Sequence, residues 1–335
     1  MNHLGILAAI LLPVAGGALI PILPFSKRNQ RLLYIETIVL LTSGIVWALL
    51  LNGTREVFHV VRFVHDLSVS FHIDGMTIIF AGLISLLWPF ATLYAFEYME
   101  HEKREKYFFM FYTMTYGITL GIAFASDMLT LYFFYELLTL STLPLVMHTL
   151  TKEAIHASRK YLYYSLGGAA FALIGIIFLI VYCGGCDFLY GGIMAGVDLL
   201  EKAWMLPWIY LLSFMGFGVK AAIWPMSSWL PKAGVAPTPV TALLHAVAVV
   251  NAGAFALIRL TYYSFDIEML KEKDITFKYT LEVPAYLAKK GHGGARGARD
   301  LRNLIRKEIE DEIANIIIDN ADTGVDAIAA EIKDE

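Results

Sequence analysis

The sequence is poor in charge and in cysteine. Of its 335 residues, 17% are charged and two are cysteine, whereas 58% are hydrophobic. A water-soluble chain with so few charges could not cover its surface with polar groups, which excludes an entirely soluble protein. Two cysteines also exclude a four-thiolate zinc site and a disulfide-rich scaffold.

Several catalytic and binding motifs are missing as well. The sequence contains no GxxxxGK[ST], HExxH or GxSxG, so nucleotide hydrolysis, zinc proteolysis and serine hydrolysis lack their usual signatures. The net charge is −4 and no basic cluster is present, which argues against a nucleic-acid partner. No residue pattern suits flavin, haem or an iron–sulfur cluster, so we expect no cofactor and no redox catalysis in this chain.

Charge is distributed unevenly along the chain. Residues 1–270 contain 15 Lys/Arg and 16 Asp/Glu, whereas residues 271–335 contain 11 and 14. The first part has the composition of a membrane protein and the second that of a water-soluble unit. We therefore predict a membrane domain over residues 1–267 and a small soluble α/β tail over residues 268–335.

Long apolar runs define the membrane domain. Crossing about 30 Å of hydrocarbon takes about 20 helical residues. The runs predict an all-α polytopic membrane protein with about eight transmembrane helices, at residues 4–24, 32–51, 75–97, 107–126, 128–149, 160–183, 205–225 and 240–262. With the N-terminus outside, inner connections carry ten Lys/Arg and outer connections three, which favours that orientation in the cell's inner (plasma) membrane.

Three ionisable residues fall inside predicted spans. Glu136 lies in YFFYELLTLSTLPLV, Lys220 in GFGVKAAIWP and His245 in PVTALLHAVAVV. Ionisable groups at membrane depth are costly and normally face the protein interior, where they serve function. They are the candidate functional residues.

The surroundings of Lys220 predict a broken helix. Gly216 and Gly218 precede it, and Pro225 follows it and cannot donate a backbone hydrogen bond. Interrupted helices at mid-membrane expose backbone groups that can hold water or ions. On the helix of Glu136, Tyr132 and Thr139 extend a polar stripe that water could follow.

Two interpretations of these residues remain open. A Glu and a Lys whose separation changes act as a proton switch, because proximity keeps both charged and separation lets the lysine release its proton. Alternatively, Glu136 and Lys220 form a static ion pair that fixes helix packing. His245 is either a proton relay or a hydrogen-bonded interior histidine.

The remaining polar groups near span ends suggest structural roles. We expect Glu36, Asp74 and Asp127 to lie at the membrane interface, and Arg259 to extend outward to it. Cys183 and Cys186 form CGGC after the sixth span. They are either a redox pair or two small apolar residues at a glycine-rich helix end.

The run GVKAAIWPMSSWLPKAGVAPTPVTALLHAVAVVNAGAFALIR, with YELLTLSTLPLV and FHIDGMTIIF upstream, closely resembles the antiporter-like family over residues 1–265. That family comprises the large proton-pumping membrane subunits of respiratory complex I, their counterparts in membrane-bound hydrogenases, and subunits of Mrp-type cation/proton antiporters. The resemblance implies that Glu136 modulates the charge of Lys220 on a discontinuous helix and that His245 passes protons laterally. It also implies other membrane subunits as partners within the lipid bilayer.

The chain departs from this family in two respects. Many members have a lysine where Asn251 stands, and an amide cannot carry a proton. Members typically have about fourteen helices in two inverted five-helix repeats, whereas only three leading helices and the first repeat are recognised here. The alternative to a proton-translocating role is therefore that of a truncated or chimeric, non-conducting membrane subunit.

The tail resembles a different family, the C-terminal lid subdomain of Clp-type AAA+ disaggregases. The resemblance implies that Arg299, in Gly297-Ala298-Arg299, is a sensor arginine. The nucleotide-binding core is not recognised, so no ATP hydrolysis is expected. An alternating stretch near Ile275 to Tyr279 predicts a strand, and an amphipathic helix is predicted from Leu301, Leu304, Ile305, Ile309 and Ile313. The two compositions suggest a fusion of unrelated segments.

Overall fold

A computed structural model describes residues 2–53, 56–63, 67–193, 204–265, 276–279 and 327–330. For residues 2, 244, 245, 276–279 and 327–330 it describes the backbone alone. The chain divides into two compact units, Met1–Ile267 and Glu268–Glu335.

The first unit is built mainly of helices. They are α1 (Asn2–Leu19), α2 (Arg28–Asn52), α3 (Gly75–Tyr98), α4 (Glu105–Phe124), α5 (Met128–Val146), α6 (Lys152–Cys183), α7 (Leu206–Gly218), α8 (Leu230–Ala233), α9 (Thr238–Ala242) and α10 (Val249–Arg259). Short 3₁₀ segments at Met99–His101 and Met226–Trp229 and π-helical segments at Leu243–Val247 and Leu260–Ser264 complete it.

Five of the predicted spans are long and apolar enough to cross a membrane. Within the described part of the chain they are Arg28–Asn52, Gly75–His101, Glu105–Phe124, Met128–Val146 and Lys152–Cys183. The other three predicted spans form helices that are shorter or interrupted. α1 and α7 have 18 and 13 residues, and the span predicted at 240–262 consists of α9, α10 and the two π-helical segments.

The expectation of an all-α membrane domain is wrong in one place. β1 (Phe58–Arg62) and β2 (Ser68–Phe71) form an antiparallel hairpin between α2 and α3, with a register shift between His59 and Val61. β-Branched and aromatic residues in FHVVR and SVSF favour strands. The sequence prediction missed the hairpin because the short segment was treated as a connection between spans.

The connections gather at opposite ends of the helices, as alternating spans require. At one end, Arg28 bonds Glu105, and His148 Nε2 lies 2.8 Å from the Lys103 carbonyl oxygen. At the other end, β2 bridges to Ala125, and Asp127 bridges to Asp187. These contacts tie the predicted inner loops to each other and the predicted outer loops to each other.

The second unit is described by two strands. β3 (Thr276–Tyr279) and β4 (Ala327–Ala330) pair in parallel, with Thr276 opposite Ala327 and Tyr279 opposite Ala330. β3 falls where the alternating sequence predicts a strand. The predicted amphipathic helix and Arg299 lie outside the described residues.

Candidate functional site

Lys220 lies in a break that follows α7. The helix ends at Gly218, a turn follows, and the Ile223 N–H donates to the Gly218 carbonyl at 3.1 Å. Ala222 has a φ of 53°, a left-handed conformation that prevents a regular helix from continuing through the turn. The Trp229 indole N–H donates to the Val219 carbonyl at 2.7 Å and satisfies a group that the break leaves free. The predicted interruption is therefore present at Lys220.

Glycines allow other helices to approach the break closely. A Cβ on Gly253 of α10 would overlap the backbone nitrogen of Ala221, and one on Gly168 of α6 would lie 2.7 Å from the Gly216 carbonyl oxygen. Because neither position has room for a side chain, α6 and α10 pack directly against the backbone around Lys220. The turn is thus fixed by packing from two sides.

The Lys220 ammonium is fully enclosed and meets Glu136. Its Nζ lies 3.3 Å from Glu136 Oε1 and 2.5 Å from the Tyr135 carbonyl oxygen, and the Lys220 side chain is 1% exposed. The Glu136 side chain is 23% exposed, so this carboxylate is the end of the pair that other groups can reach. The structure brings together two residues that the sequence could only place separately in the membrane.

Tyr135 completes the site and was missed by the sequence analysis. Lys220 Nζ lies 3.3 Å from the centroid of its ring, and its hydroxyl donates to the Phe217 carbonyl at 2.7 Å. The ring therefore offers a cation–π contact, while the hydroxyl binds the last turn of α7. The only sequence signal for Tyr135 is its position directly before Glu136.

A buried polar route continues along α5. Thr139 lies one turn after Tyr135 and is 1% exposed. Farther on, the Thr142 and Tyr161 hydroxyl oxygens are 2.8 Å apart, and Thr115 donates to Ser141 at 3.1 Å. These contacts extend the predicted stripe from Glu136 toward α4 and α6.

His245 lies in the π-helical segment Leu243–Val247, and only its backbone is described. Its predicted role stays a prediction. The adjoining break before α10 is held by Asn251, whose amide N–H donates to the Ala246 carbonyl at 2.7 Å. The amide thus has a structural function at this position, because it binds a backbone carbonyl of the irregular segment.

One expectation is corrected at Arg259. Its side chain does not extend outward: it is 1% exposed, and its Nη1 and Nη2 bind the two Asp74 carboxylate oxygens at 2.5 and 2.8 Å. Asp74 caps α3 by accepting from the Thr77 N–H at 2.8 Å. Burial would raise the pKa of Asp74, but its hydrogen bonds and charge attraction to Arg259 outweigh burial and lower that pKa. The pair joins α3 to α10.

The predicted location of Asp127 and Glu36 at the membrane interface stays a prediction. Asp127 is 3% exposed and caps α5, where it accepts hydrogen bonds from the Thr130 N–H at 2.7 Å and the Ser70 hydroxyl at 2.6 Å. Burial raises the pKa of its carboxyl. Glu36 lies eight residues after Arg28, the start of α2, which is about 12 Å along the helix axis.

The cysteines are not paired with each other. Cys183 and Cys186 are free thiols, and burial raises the pKa of Cys186 to about 12. A thiol that stays protonated is a poor nucleophile, which favours the interpretation as small apolar residues. Within the described segments, no group of three His, Cys, Asp or Glu side chains could hold a metal ion.

Comparison with known protein families follows the division of the chain. Residues 125–275 match the family described as NADH:quinone oxidoreductase/Mrp antiporter, TM, and residues 63–109 match NADH-Ubiquinone oxidoreductase (complex I), chain 5 N-terminus. Residues 267–329 match the C-terminal, D2-small domain, of ClpB protein.

One individual relative agrees with the first of these matches. The chain is 30% identical over 207 residues to a Na(+)/H(+) antiporter subunit of Alkalihalophilus pseudofirmus, in an alignment that covers 61% of this chain and 26% of the relative. The chain thus spans about a quarter of that relative's length.

Two solved structures share the fold. The Mrp complex from Dietzia sp. DQ12-45-1b matches with a TM-score of 0.67 and 20% identity, over 76% of this chain and 28% of that chain. The archaeal membrane-bound sulfane sulfur reductase, a respiratory membrane complex, matches with a TM-score of 0.66 and 23% identity, over 77% and 53%.

Proposed function

Because the membrane part of this chain belongs to the antiporter-like family of membrane subunits, we propose that it works as a proton- or cation/proton-translocating subunit of a larger membrane assembly. The observation that carries the proposal is the enclosed Lys220 ammonium, whose only carboxylate contact among the described residues is Glu136 at 3.3 Å. We further propose that the assembly lies in the inner (plasma) membrane, with the N-terminus outside and with other membrane subunits as partners.

The distance between the two charges controls the proton on Lys220. At 3.3 Å, and with an effective dielectric constant of about 20, their attraction is about 5 kcal/mol, and it falls to about half at twice that separation. Movement or protonation of Glu136 therefore leaves the ammonium in a buried site without its counter-charge. The lysine then releases its proton, and return of the carboxylate favours its reprotonation.

The break after α7 supplies the route for that proton. Lys220 lies next to backbone carbonyls of an interrupted helix, and α10 packs directly on the same turn. His245 precedes α10 in the neighbouring π-helical segment. We propose that protons pass between Glu136, Lys220 and His245, with hydroxyl groups and water connecting them.

Substitution of Lys220 tests this function. In vesicles that contain the full chain in its assembled complex, Lys220→Ala should abolish proton movement, measured with a pH-sensitive dye, while complex assembly is preserved. Lys232→Ala is the matched control, because Lys232 is exposed. Unchanged proton movement in Lys220→Ala would refute the assignment and favour a static ion pair in a non-conducting subunit.

For residues 268–335 we propose a separate soluble unit similar to the ClpB D2-small domain, joined to the membrane part by fusion of unrelated segments. We expect no ATP hydrolysis by this unit. Sequencing single genomic molecules across codons 260 to 275 tests whether the fusion is genuine. An intact junction supports a genuine fusion, and an interrupted one contradicts it.

A further inference from the structure

A cleft of about 300 Å³ lies where α4 begins and α5 ends. Its lining comes from both helices and from the turn after α5, and it includes Arg104, Phe108, Phe111, Leu145, Met147 and Leu150. We call it the α4–α5 cleft. It starts on α5 at Pro144, eight residues beyond Glu136 and about 12 Å along the helix axis. The cleft is therefore separate from the site around Lys220.

The lining of the cleft is mostly apolar and aromatic. Phe108 and Leu145 are fully buried, whereas Tyr107 and Leu150 are 57% and 42% exposed, so the cleft runs from the surface into the contact between the two helices. Burial of hydrocarbon in such a lining is favourable, and burial of a polar group without a hydrogen-bond partner is costly. The cleft therefore suits a hydrocarbon chain better than a water-soluble ligand.

Arg104 is the charged group of the lining that a ligand can reach. His148 also lines the cleft, but it is buried and its Nε2 lies 2.8 Å from the Lys103 carbonyl oxygen. Arg104 is exposed, and it forms no salt bridge in the part of the chain that the structure describes. The apolar cleft thus has a cation at its edge whose counter-charge is still to be supplied.

The segment around Arg104 carries a net positive charge. Two of its carboxylates, Glu100 and Glu105, are neutralised by Arg28 and Arg31. With His101 neutral, residues 100–106 then retain one carboxylate against three cations, a net charge of +2, from Glu102, Lys103, Arg104 and Lys106. Such a segment attracts an anionic group at the membrane surface.

The cation and the apolar lining follow one another along the axis of α4. Arg104 directly precedes the helix, and Phe111 lies seven residues farther on, about 10 Å along the axis. Because α4 is long and apolar enough to cross a membrane, Arg104 lies near the membrane boundary and Phe111 lies at the depth of the acyl chains. A ligand that matches this order has an anionic head group and a hydrocarbon chain.

We propose that the α4–α5 cleft binds one anionic phospholipid of the surrounding bilayer, with its phosphate on the Arg104 guanidinium and one acyl chain extending toward Phe111. A guanidinium binds phosphate oxygens through two parallel hydrogen bonds, and basic pockets between membrane helices bind anionic head groups. A free anion would leave the apolar lining empty, and an apolar helix of a partner would leave Arg104 without a counter-charge. The site does not depend on the function proposed for Lys220.

Photo-crosslinking from lipids tests the proposal. Vesicles that contain the full chain in its assembled complex receive either phosphatidylglycerol, which is anionic, or phosphatidylcholine, which is zwitterionic, with the same diazirine-bearing acyl chain. Mass spectrometry locates the crosslinked residues. We expect about fivefold more crosslinking in the cleft from phosphatidylglycerol, because one cation near the membrane surface contributes about 1 kcal/mol of attraction. Equal crosslinking by the two lipids would overturn the proposal.

Variants assign the two ends of the lipid. Arg104→Gln should reduce crosslinking by phosphatidylglycerol to the level of phosphatidylcholine. Arg159→Gln is the matched control and should keep the preference, because Arg159 is exposed in the first turns of α6 and does not line the cleft. Met147→Trp places a larger side chain in the lining and should reduce crosslinking by both lipids several-fold. A preference that persists in Arg104→Gln, or unchanged crosslinking in Met147→Trp, would contradict the proposed placement.

The same measurement distinguishes a lipid from a protein occupant. Crosslinking of the cleft in the full chain purified without partners, but not in the assembled complex, would show that a partner subunit covers the cleft and would overturn the proposal. Lys220→Ala should leave the crosslinking unchanged whether or not it abolishes proton movement, so the two proposals fail separately.

Discussion

The buried pair between Arg259 and Asp74 offers a quantitative test of the packing of α3 against α10. Asp74→Asn keeps the cap of α3, since Asn and Asp cap helices about equally well, and removes the charge that Arg259 needs. Arg259 is 1% exposed and binds both carboxylate oxygens, at 2.5 and 2.8 Å. Leaving such a charge buried without its partner costs about 3–5 kcal/mol of folding free energy.

The matching change on the other side is Arg259→Met, which should cost less, because the Asp74 side chain is 21% exposed and still accepts hydrogen bonds from Thr77. The double variant removes both charges, so its loss should be smaller than the sum of the two single losses by about 1–3 kcal/mol. Reversible unfolding in mixed detergent micelles, followed by tryptophan fluorescence, measures all four proteins. If the two single losses sum to the loss of the double variant within about 0.5 kcal/mol, a direct interaction is refuted.

The same pair predicts a pH dependence. The pKa of Asp74 is lower in the folded protein than its ordinary value of 3.8. Its contribution to stability is therefore complete above that value and is lost as the pH falls through the folded pKa. Wild-type protein should lose this increment in acid, whereas Asp74→Asn should not. An identical acid profile for both proteins would contradict the ion pair.

Two smaller perturbations address the helix breaks. Gly253→Ala should destabilise the membrane unit by about 1–3 kcal/mol, because the added Cβ would overlap the Ala221 backbone, whereas Gly44→Ala, where no atom lies within 4 Å, should not. Asn251→Leu should cost about 0.5–1.5 kcal/mol through loss of the bond to the Ala246 carbonyl. The same unfolding measurement tests both predictions. Equal losses of stability in the two alanine variants would contradict the close contact at Gly253. Unchanged stability of Asn251→Leu would contradict the hydrogen bond to Ala246.

Local patterns predicted the parts of the site that depend on local chemistry. The glycines and Pro225 around Lys220 indicated a break because they weaken a helix wherever it lies. The same patterns indicated that Glu136 faces the protein interior, since a carboxylate in a membrane span is costly to expose to lipid. That the two residues meet required the fold, because they are 84 positions apart.

Long-range partners explain the wrong predictions. Arg259 was expected at the interface because nothing near it in sequence could neutralise it, and its partner Asp74 is 185 positions away. The start of the second span was placed at residue 32 because the apolar run begins there, whereas the helix starts at Arg28, whose charge is neutralised by Glu105 of α4. In both cases a tertiary ion pair allowed charge where composition alone predicts an interface.

The most direct measurement of the central claim is proton movement by Lys220→Arg in vesicles that contain the assembled complex. Arginine keeps the positive charge beside Glu136 but does not release its proton in proteins. If Lys220 carries protons, Lys220→Arg should be as inactive as Lys220→Ala while the complex still assembles. Proton movement at the wild-type rate in Lys220→Arg would contradict the account and show that the pair serves only to hold the helices together.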